Sequence, residues 1–127
     1  MACVLIIDDE PSLRFAVRRV LERAGHTTVE AGDGGEGLKV LGLQPVDVVI
    51  TDIIMPNVEG IELIRNLHRS RPELPVVAMS GGGRLSPEGY LKLAKTFGAS
   101  QVLKKPFEAD ELLAAVNATL KPPGPTA

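Results

Sequence analysis

Residues 4–7, 46–51 and 75–80 are short apolar runs without polar alternation. A strand with one wet face alternates, so these runs must be covered on both faces, as in a parallel sheet layered between helices. Each run also stops abruptly at polar groups. VLII is followed by Asp8, Asp9 and Glu10, the second run by Asp52, and the third closes on Ser80. A buried strand gains nothing from such neighbours, so the polar strand ends need a separate explanation.

Helical patterns lie between the runs. The clearest places Leu13, Ala16, Val17, Val20, Leu21 and Ala24 on one stripe, with Arg14, Arg18, Arg19 and Arg23 largely elsewhere. Pro11 or Ser12 suits its first turn and Gly25 its end. A weaker strand over residues 27–31 follows. Asp33 is placed to cap a second helix carrying Leu38, Val40 and Leu41, with Glu36 set for a capping box, although Gly34, Gly35 and Gly37 weaken it. Residues 60–70 read as a third helix with Ile61, Ile64 and Leu67 inward, and 87–97 as a fourth. Residues 101–104 read as a short fifth strand and 109–120 as a last helix with Leu112, Leu113, Val116 and Leu120. Five βα units predict an α/β fold, a doubly wound five-stranded parallel sheet with five helices and right-handed crossovers.

The chain has 127 residues, enough for one domain with a single core. Hydrophobic residues at 44% and charged residues at 24%, with both signs mixed, describe a soluble globular protein. The net charge of -2 argues against a basic nucleic-acid surface, so no direct nucleic-acid contact is expected. Cys3 has no partner for an internal disulfide. No apolar run nears the roughly 18 residues of a membrane span, and MACVLIIDDE lacks the pattern of a signal peptide. A cytoplasmic protein without membrane contact is the expectation. Residues 1–120 read as the domain and 121–127, KPPGPTA, as a Pro-rich tail or truncated linker.

In open parallel sheets, sites form beyond the carboxyl ends of the strands. Asp8 and Asp9 lie just past the first strand and Asp52 past the third. Adjacent strand residues point to opposite faces, so Asp8 and Asp9 aim at one point only if the chain turns there, as Pro11 encourages. Two carboxylates about 4 Å apart repel by about 4 kcal/mol at an effective dielectric near 20, so such a cluster needs a cation or a proton. An all-oxygen donor set with room for water suits Mg²⁺, completed by a phosphate oxygen. Ser80 and Lys105 end the fourth and fifth strands, and Pro106 follows. A hydroxyl, an ammonium and a metal beside carboxylates suit a phosphoryl group, with one carboxylate free to attack phosphorus.

The stretches IIDDEPS, DIIMPNVEGIEL, AMSG and LKKPF fall in that order on successive strand ends. Over about residues 3–120 the chain resembles a response-regulator receiver domain of two-component signal transduction. The resemblance implies the flavodoxin-like, CheY-like strand order 2-1-3-4-5. It implies that Asp52 is the phosphoacceptor, supplied by a phosphohistidine on a sensor histidine kinase or histidine phosphotransfer protein. It further implies that Asp9 and Asp52 hold Mg²⁺ directly, that Asp8 acts largely through water, and that the Ile54 carbonyl is another ligand. Ser80 and Lys105 would bind the phosphoryl group, and the Lys105–Pro106 bond would be cis. Lys105 is preferred to Lys104 because it precedes the proline. The implied protein is a monomer or weak dimer that switches partners and is not an enzyme in its own right. Alternatives are the amino-terminal receiver of a longer, for example DNA-binding, regulator and, more remotely, an aspartyl-phosphate phosphohydrolase. The hydrolase usually has a second carboxylate two residues after the nucleophile, where this chain has Ile54. A nucleotide-binding domain of flavodoxin type would leave the acidic edge unexplained.

The sequence departs from the family pattern at several positions. Receivers commonly carry an aromatic residue three positions before the lysine; here Val102 stands there, small, stiff and without a ring to swing, and Tyr90 reads as a packing or surface residue, with substitution for that ring as the alternative. The segment 81–89, GGGRLSPEG, is glycine-rich and reads as a lid or partner-contact loop. Phe15 lies opposite the main stripe of the first helix and reads as a single exposed apolar residue; the alternative is a face where a phosphotransfer partner would dock, with Arg14 and Arg18 to steer an acidic partner. Ile54 and Gly82 occupy positions that often bear polar side chains near the phosphate, and neither orients a water. The aspartyl phosphate is therefore expected to decay slowly without a separate phosphatase. Its lifetime, followed by intact mass, should exceed that of an Ile54→Asn variant.

Overall fold

In a computed structural model of the chain, the described residues are 2–53, 59–80 and 98–120 with Gly89, Lys92, Lys95 and Thr96, while Glu59, Gly60 and Ile61 are described by backbone alone. Strands and helices alternate as β1 (Cys3–Ile7), α1 (Pro11–Arg23), β2 (Thr27–Ala31), α2 (Gly34–Leu43), β3 (Val48–Asp52), α3 (Glu59–Ser70), β4 (Val76–Ser80), β5 (Gln101–Lys104) and α4 (Ala109–Leu120). All strand pairs are parallel and the order is β2-β1-β3-β4-β5, as expected. Four helices are present among the described residues, where five were expected. The stretch read as the fourth, 87–97, lies largely outside those residues, but Gly89, Lys92, Lys95 and Thr96 within it carry helical backbone. The loop 81–88, Tyr90 and the tail 121–127 also lie outside them.

The unbroken apolar runs follow from where the strands sit. β3 and β4 are buried along their whole length, whereas β2 and β5 at the sheet edges are only partly buried. Alternate side chains feed two cores. Val4, Ile6, Val48, Ile50, Val77 and Met79 pack with Val17 and Leu21 of α1 and Leu112 and Val116 of α4. Leu5, Ile7, Val49, Val76 and Ala78 pack with Leu41 of α2 and Leu63, Ile64 and Leu67 of α3. A strand covered on both sides has no polar face, and this removes the alternation. The third strand begins at Val48 rather than residue 46 because Asp47 clasps the start of β1: its amide donates to the Cys3 carbonyl at 2.8 Å and its carboxylate accepts from the Cys3 amide at 2.7 Å.

α1 starts on Pro11 and stops in a Schellman turn. His26 N–H donates to the Leu21 carbonyl and Gly25 N–H to that of Glu22, with Gly25 at φ 96°. Its buried stripe is narrower than expected: Val17 and Leu21 are buried, Leu13 and Val20 half-buried, and Ala16 and Ala24 exposed. Only the positions at i, i+4 and i+7 or i+8 reach the sheet, and Ala24 is already the cap.

Asp33 caps α2, its carboxylate accepting from the Glu36 amide at 2.8 Å. Glu36 reaches back to the amide of Gly32 at 2.6 Å, one residue earlier than in a capping box. Leu38, expected inside, is 46% exposed, while Leu41 is buried. Gly37 is the reason α2 sits so close to the sheet, since a Cβ there would lie 2.5 Å from Ile7 Cδ1. Ile7 is fully buried. The glycine weakens the helix but sets its distance from β1.

Gly37→Ala therefore gains helix propensity but overpacks Ile7. A net loss of up to about 2 kcal/mol is expected, from an overpacking cost of about 1–3 offset by about 1 of propensity. Gly42, with nothing within 4 Å of its would-be Cβ, should instead gain up to about 1 kcal/mol as alanine. Urea unfolding of both variants checks the pair of opposite signs.

Candidate functional site

The carboxyl ends of the three central strands lie side by side in the order β1, β3, β4. Asp8 follows β1, Asp52 ends β3 and Ser80 ends β4. The two cores that cover these strands also desolvate their ends: Asp8 is 1%, Asp52 6% and Ser80 0% exposed. Asp9 is exposed. The turn into α1 is fixed by the Glu10 amide, which donates to Asp8 Oδ1 at 2.8 Å. One carboxylate oxygen from each of Asp8, Asp9 and Asp52 lies within 4.8 Å of the others. Asp8 and Asp9 thus converge despite being neighbours in sequence.

The balancing charge comes from beyond β5. Lys105 Nζ is 3.1 Å from Asp52 Oδ2 and 3.5 Å from Asp8 Oδ2. Its amide donates to the Ser80 carbonyl at 2.7 Å, and its bond to Pro106 is cis. Lys104, the neighbour, is exposed. Burial pushes the Asp8 carboxyl above its ordinary value; the Glu10 amide and Lys105 oppose this, while Asp52 and Asp9 add to it. Two buried side-chain atoms have no hydrogen-bond partner among the described residues, Asp8 Oδ2 and Ser80 Oγ.

Buried oxygens without a hydrogen bond among the described residues, at the strand ends on either side of Asp52, suit a site that takes a ligand. The acidic donors are hard oxygens converging on one point, and they fit an oxygen-loving divalent cation. Ile54, expected to contribute its carbonyl, and Gly82 lie outside the described residues.

Other expected surface groups are placed differently. Phe15 is 56% exposed, as expected, but Arg19 lies over its ring, at 5.7 Å from the centroid. Arg14 does not point to solvent: Nε meets Glu30 Oε1 at 2.9 Å and Nη1 donates to the Asp8 carbonyl. Its side chain is only 17% exposed. In the sequence Arg14 has the pattern of a surface charge because its partner is 16 residues away on β2, brought near by the pairing of β1 with β2. Arg18 remains at the surface, paired with Glu22 at 3.0 Å and Glu30 at 3.3 Å. Val102 is half-buried and packs against the core beneath α2 and α3.

Comparison with known proteins gives the same family from independent directions. The response regulator receiver domain family matches residues 4–117. The chain is 38% identical over 118 residues to the CAI-1 autoinducer sensor kinase/phosphatase CqsS of Vibrio cholerae, covering 91% of this chain and 17% of that protein. It is 31% identical to Protein PilH of Pseudomonas aeruginosa, covering 94% of this chain and 98% of PilH. The crystal structure of the receiver domain of NtrX from Brucella abortus superposes with a TM-score of 0.85 at 31% identity, over 92% of this chain and 97% of that one. The chain spans about half the length of the response regulator MprA of Mycobacterium ulcerans and a quarter of the transcriptional regulatory protein DctD of Pseudomonas aeruginosa. With polar strand ends and a parallel sheet ordered 2-1-3-4-5, the chain belongs to the response regulator receiver domain family.

Proposed function

We propose that this receiver takes a phosphoryl group onto Asp52 from a phosphohistidine of a sensor histidine kinase or histidine phosphotransfer protein, and that the new charge changes which proteins it binds. Mg²⁺ would be held by Asp9, Asp52 and the Ile54 carbonyl, with Asp8 acting largely through water. The observation that carries this reading is the pair of buried oxygens without a hydrogen bond among the described residues, Asp8 Oδ2 and Ser80 Oγ, at the ends of the strands flanking the one that ends in the buried Asp52.

The chain's own groups account for most of the chemistry. An Asp52 oxygen attacks phosphorus as the N–P bond breaks, and the electron pair leaves with the donor imidazole. Three equatorial oxygens then carry the spread charge. Lys105, already 3.1 Å from the Asp52 carboxylate, supplies one positive charge. Ser80, whose Oγ has no hydrogen-bond partner among the described residues, offers its hydroxyl. The bound metal would add charge neutralisation at the phosphoryl oxygens. Catalysis of this kind consists of alignment and electrostatics, which suits residues fixed at the ends of buried strands.

The receiver unit is read as residues 1–120, with 121–127 a tail or linker. Receiver domains are signalling domains, and no turnover of an external substrate is proposed. The reading is of a cytoplasmic monomer or weak dimer; among the described residues no helix is long and apolar enough to cross a membrane. Relatives of receiver length, such as PilH, support a receiver that acts alone. Relatives twice its length support the same unit joined to an output domain.

Incubation with Mg²⁺ and acetyl phosphate should add one phosphoryl group, read by intact mass, to the parent and none to Asp52→Ala. Phosphoryl on the alanine variant would refute the assignment. A second expectation concerns stability. The folded-state pKa of Asp8 is raised, so the folded state binds its proton more readily than the unfolded one. Stability from this group is therefore present below the unfolded pKa, about 3.9, and lost as pH rises through the higher folded value. At pH 7 in chelator, Asp8→Asn should melt above the parent. Saturating Mg²⁺ should reverse the order, since a ligand at a hundred times its Kd adds about 2.7 kcal/mol to the form that binds it.

A further inference from the structure

Asp8 is held at every polar atom but one. Its amide donates to the Ala31 carbonyl at 3.1 Å, its carbonyl accepts from Arg14 Nη1, and its Oδ1 accepts from the Glu10 amide at 2.8 Å. Only Oδ2 is left, directed at Lys105. Two of these restraints lead to β2: one through Ala31, the other through the Arg14 guanidinium, which Glu30 holds by Nε at 2.9 Å. Ile6 pairs with Glu30 and Ile7 with Ala31, so the edge strand presents both anchors beside the end of β1. Gly32 borders the guanidinium, and even a Cβ there would be in ordinary contact with Nη1 at 3.7 Å.

The geometry points to Arg14 as a positioning residue of the acidic site, fixing through Glu30 the peptide that carries Asp8 into Asp9. This rests on the phosphoacceptor reading and names what makes its metal site rigid. Neighbouring strand residues diverge, so the two carboxylates converge only while this peptide keeps its orientation. The Asp8 carbonyl is the outward handle on that peptide, and a forked cation tied to a second strand fixes both its position and its rotation. A lysine, with one compact ammonium, reaches one of the two partners at a time. Groups that orient metal ligands from behind typically account for a ten- to hundred-fold effect on affinity.

The sign of the effect separates this role from simple charge. Arg14 is a cation near a cation site, so as a charge alone its removal would tighten Mg²⁺ binding. As a positioning residue its removal weakens it. The test measures the Mg²⁺ Kd by calorimetry and the rate of labelling by acetyl phosphate for the parent, Arg14→Met, Arg14→Lys, Glu30→Gln and Arg18→Ala, with urea unfolding of each. Arg14→Met should bind Mg²⁺ roughly ten-fold more weakly and label more slowly at subsaturating Mg²⁺. Arg14→Lys should fail to rescue it. Glu30→Gln should fall between, and combining it with Arg14→Met should add little. Arg18→Ala shares the Glu30 contact and the surface charge without touching Asp8, and should bind as the parent does.

Equal or tighter Mg²⁺ binding by folded Arg14→Met, or full rescue by lysine, would overturn the proposal. Should Arg14→Met not fold, unchanged affinity in both Arg14→Lys and Glu30→Gln would do so. A parent that neither binds Mg²⁺ nor labels at Asp52 would instead bring down the functional reading, and this inference with it.

Discussion

At the carboxyl edge of the sheet a cluster of three carboxylates faces the ammonium of Lys105, which reaches two of them. The imbalance is strongest at Asp8, where burial already raises the pKa and the nearby acids raise it further. A carboxylate in that position costs folding stability when it is ionised at neutral pH. It is retained against the unfolding force because two apolar layers fix the strand that carries it. Their contribution is large: side chains such as Leu5, Ile6, Ile7 and Ile50 are fully buried, and each is worth about 1.5–3 kcal/mol. The cost of the site is thus met in the cores, and its relief is left to whatever binds between the acids.

The sheet order makes this possible. Parallel strands lie about 4.8 Å apart, so polar groups ending three adjacent strands are neighbours without any loop to position them. β3, which ends in Asp52, is flanked by β1 and β4. Because alternate residues of these strands pack into opposite cores, a strand cannot slip by one residue without turning both faces inside out. Gly37 tightens one of these layers by letting α2 approach Ile7. Rigidity at the edge is therefore a consequence of packing along the whole strand, and the acids inherit it.

Much of this was legible in the sequence. Unbroken apolar runs required a sheet covered on both faces, and polar residues at successive run ends foretold that Asp8, Asp9, Asp52 and Lys105 would lie together. What misled was periodicity on thin evidence. Ala16 and Leu38 fall on plausible apolar stripes, but a helix lying against a sheet buries a narrow strip, and the flanks stay wet. Glycines read as helix weakness turned out, at Gly37, to be a distance constraint, which is a property of two elements and invisible in one. Arg14 was invisible for the same reason: its partners come from β2 and from the turn after β1, and a row of arginines on one helix gives no sign of which has turned inward.

The fifth strand raises the remaining question of how charge at Asp52 would be felt elsewhere. A side-chain relay would need a group able to exchange two positions. Val102 has two branches on Cβ, one preferred rotamer in most settings, and no ring; it is also packed into the core beneath α2 and α3. The main chain is better connected. The Lys105 amide is bonded to the Ser80 carbonyl at 2.7 Å, so the lysine that reaches Asp52 and the residue ending the strand beside it are joined through their backbones. Pulling the Lys105 ammonium from Asp8 and Asp52 toward a bound phosphoryl group and drawing in the Ser80 hydroxyl would load the same hydrogen bond from both ends. In a chain with valine at this position, the ends of β4 and β5 moving as a unit is the route that the contacts provide.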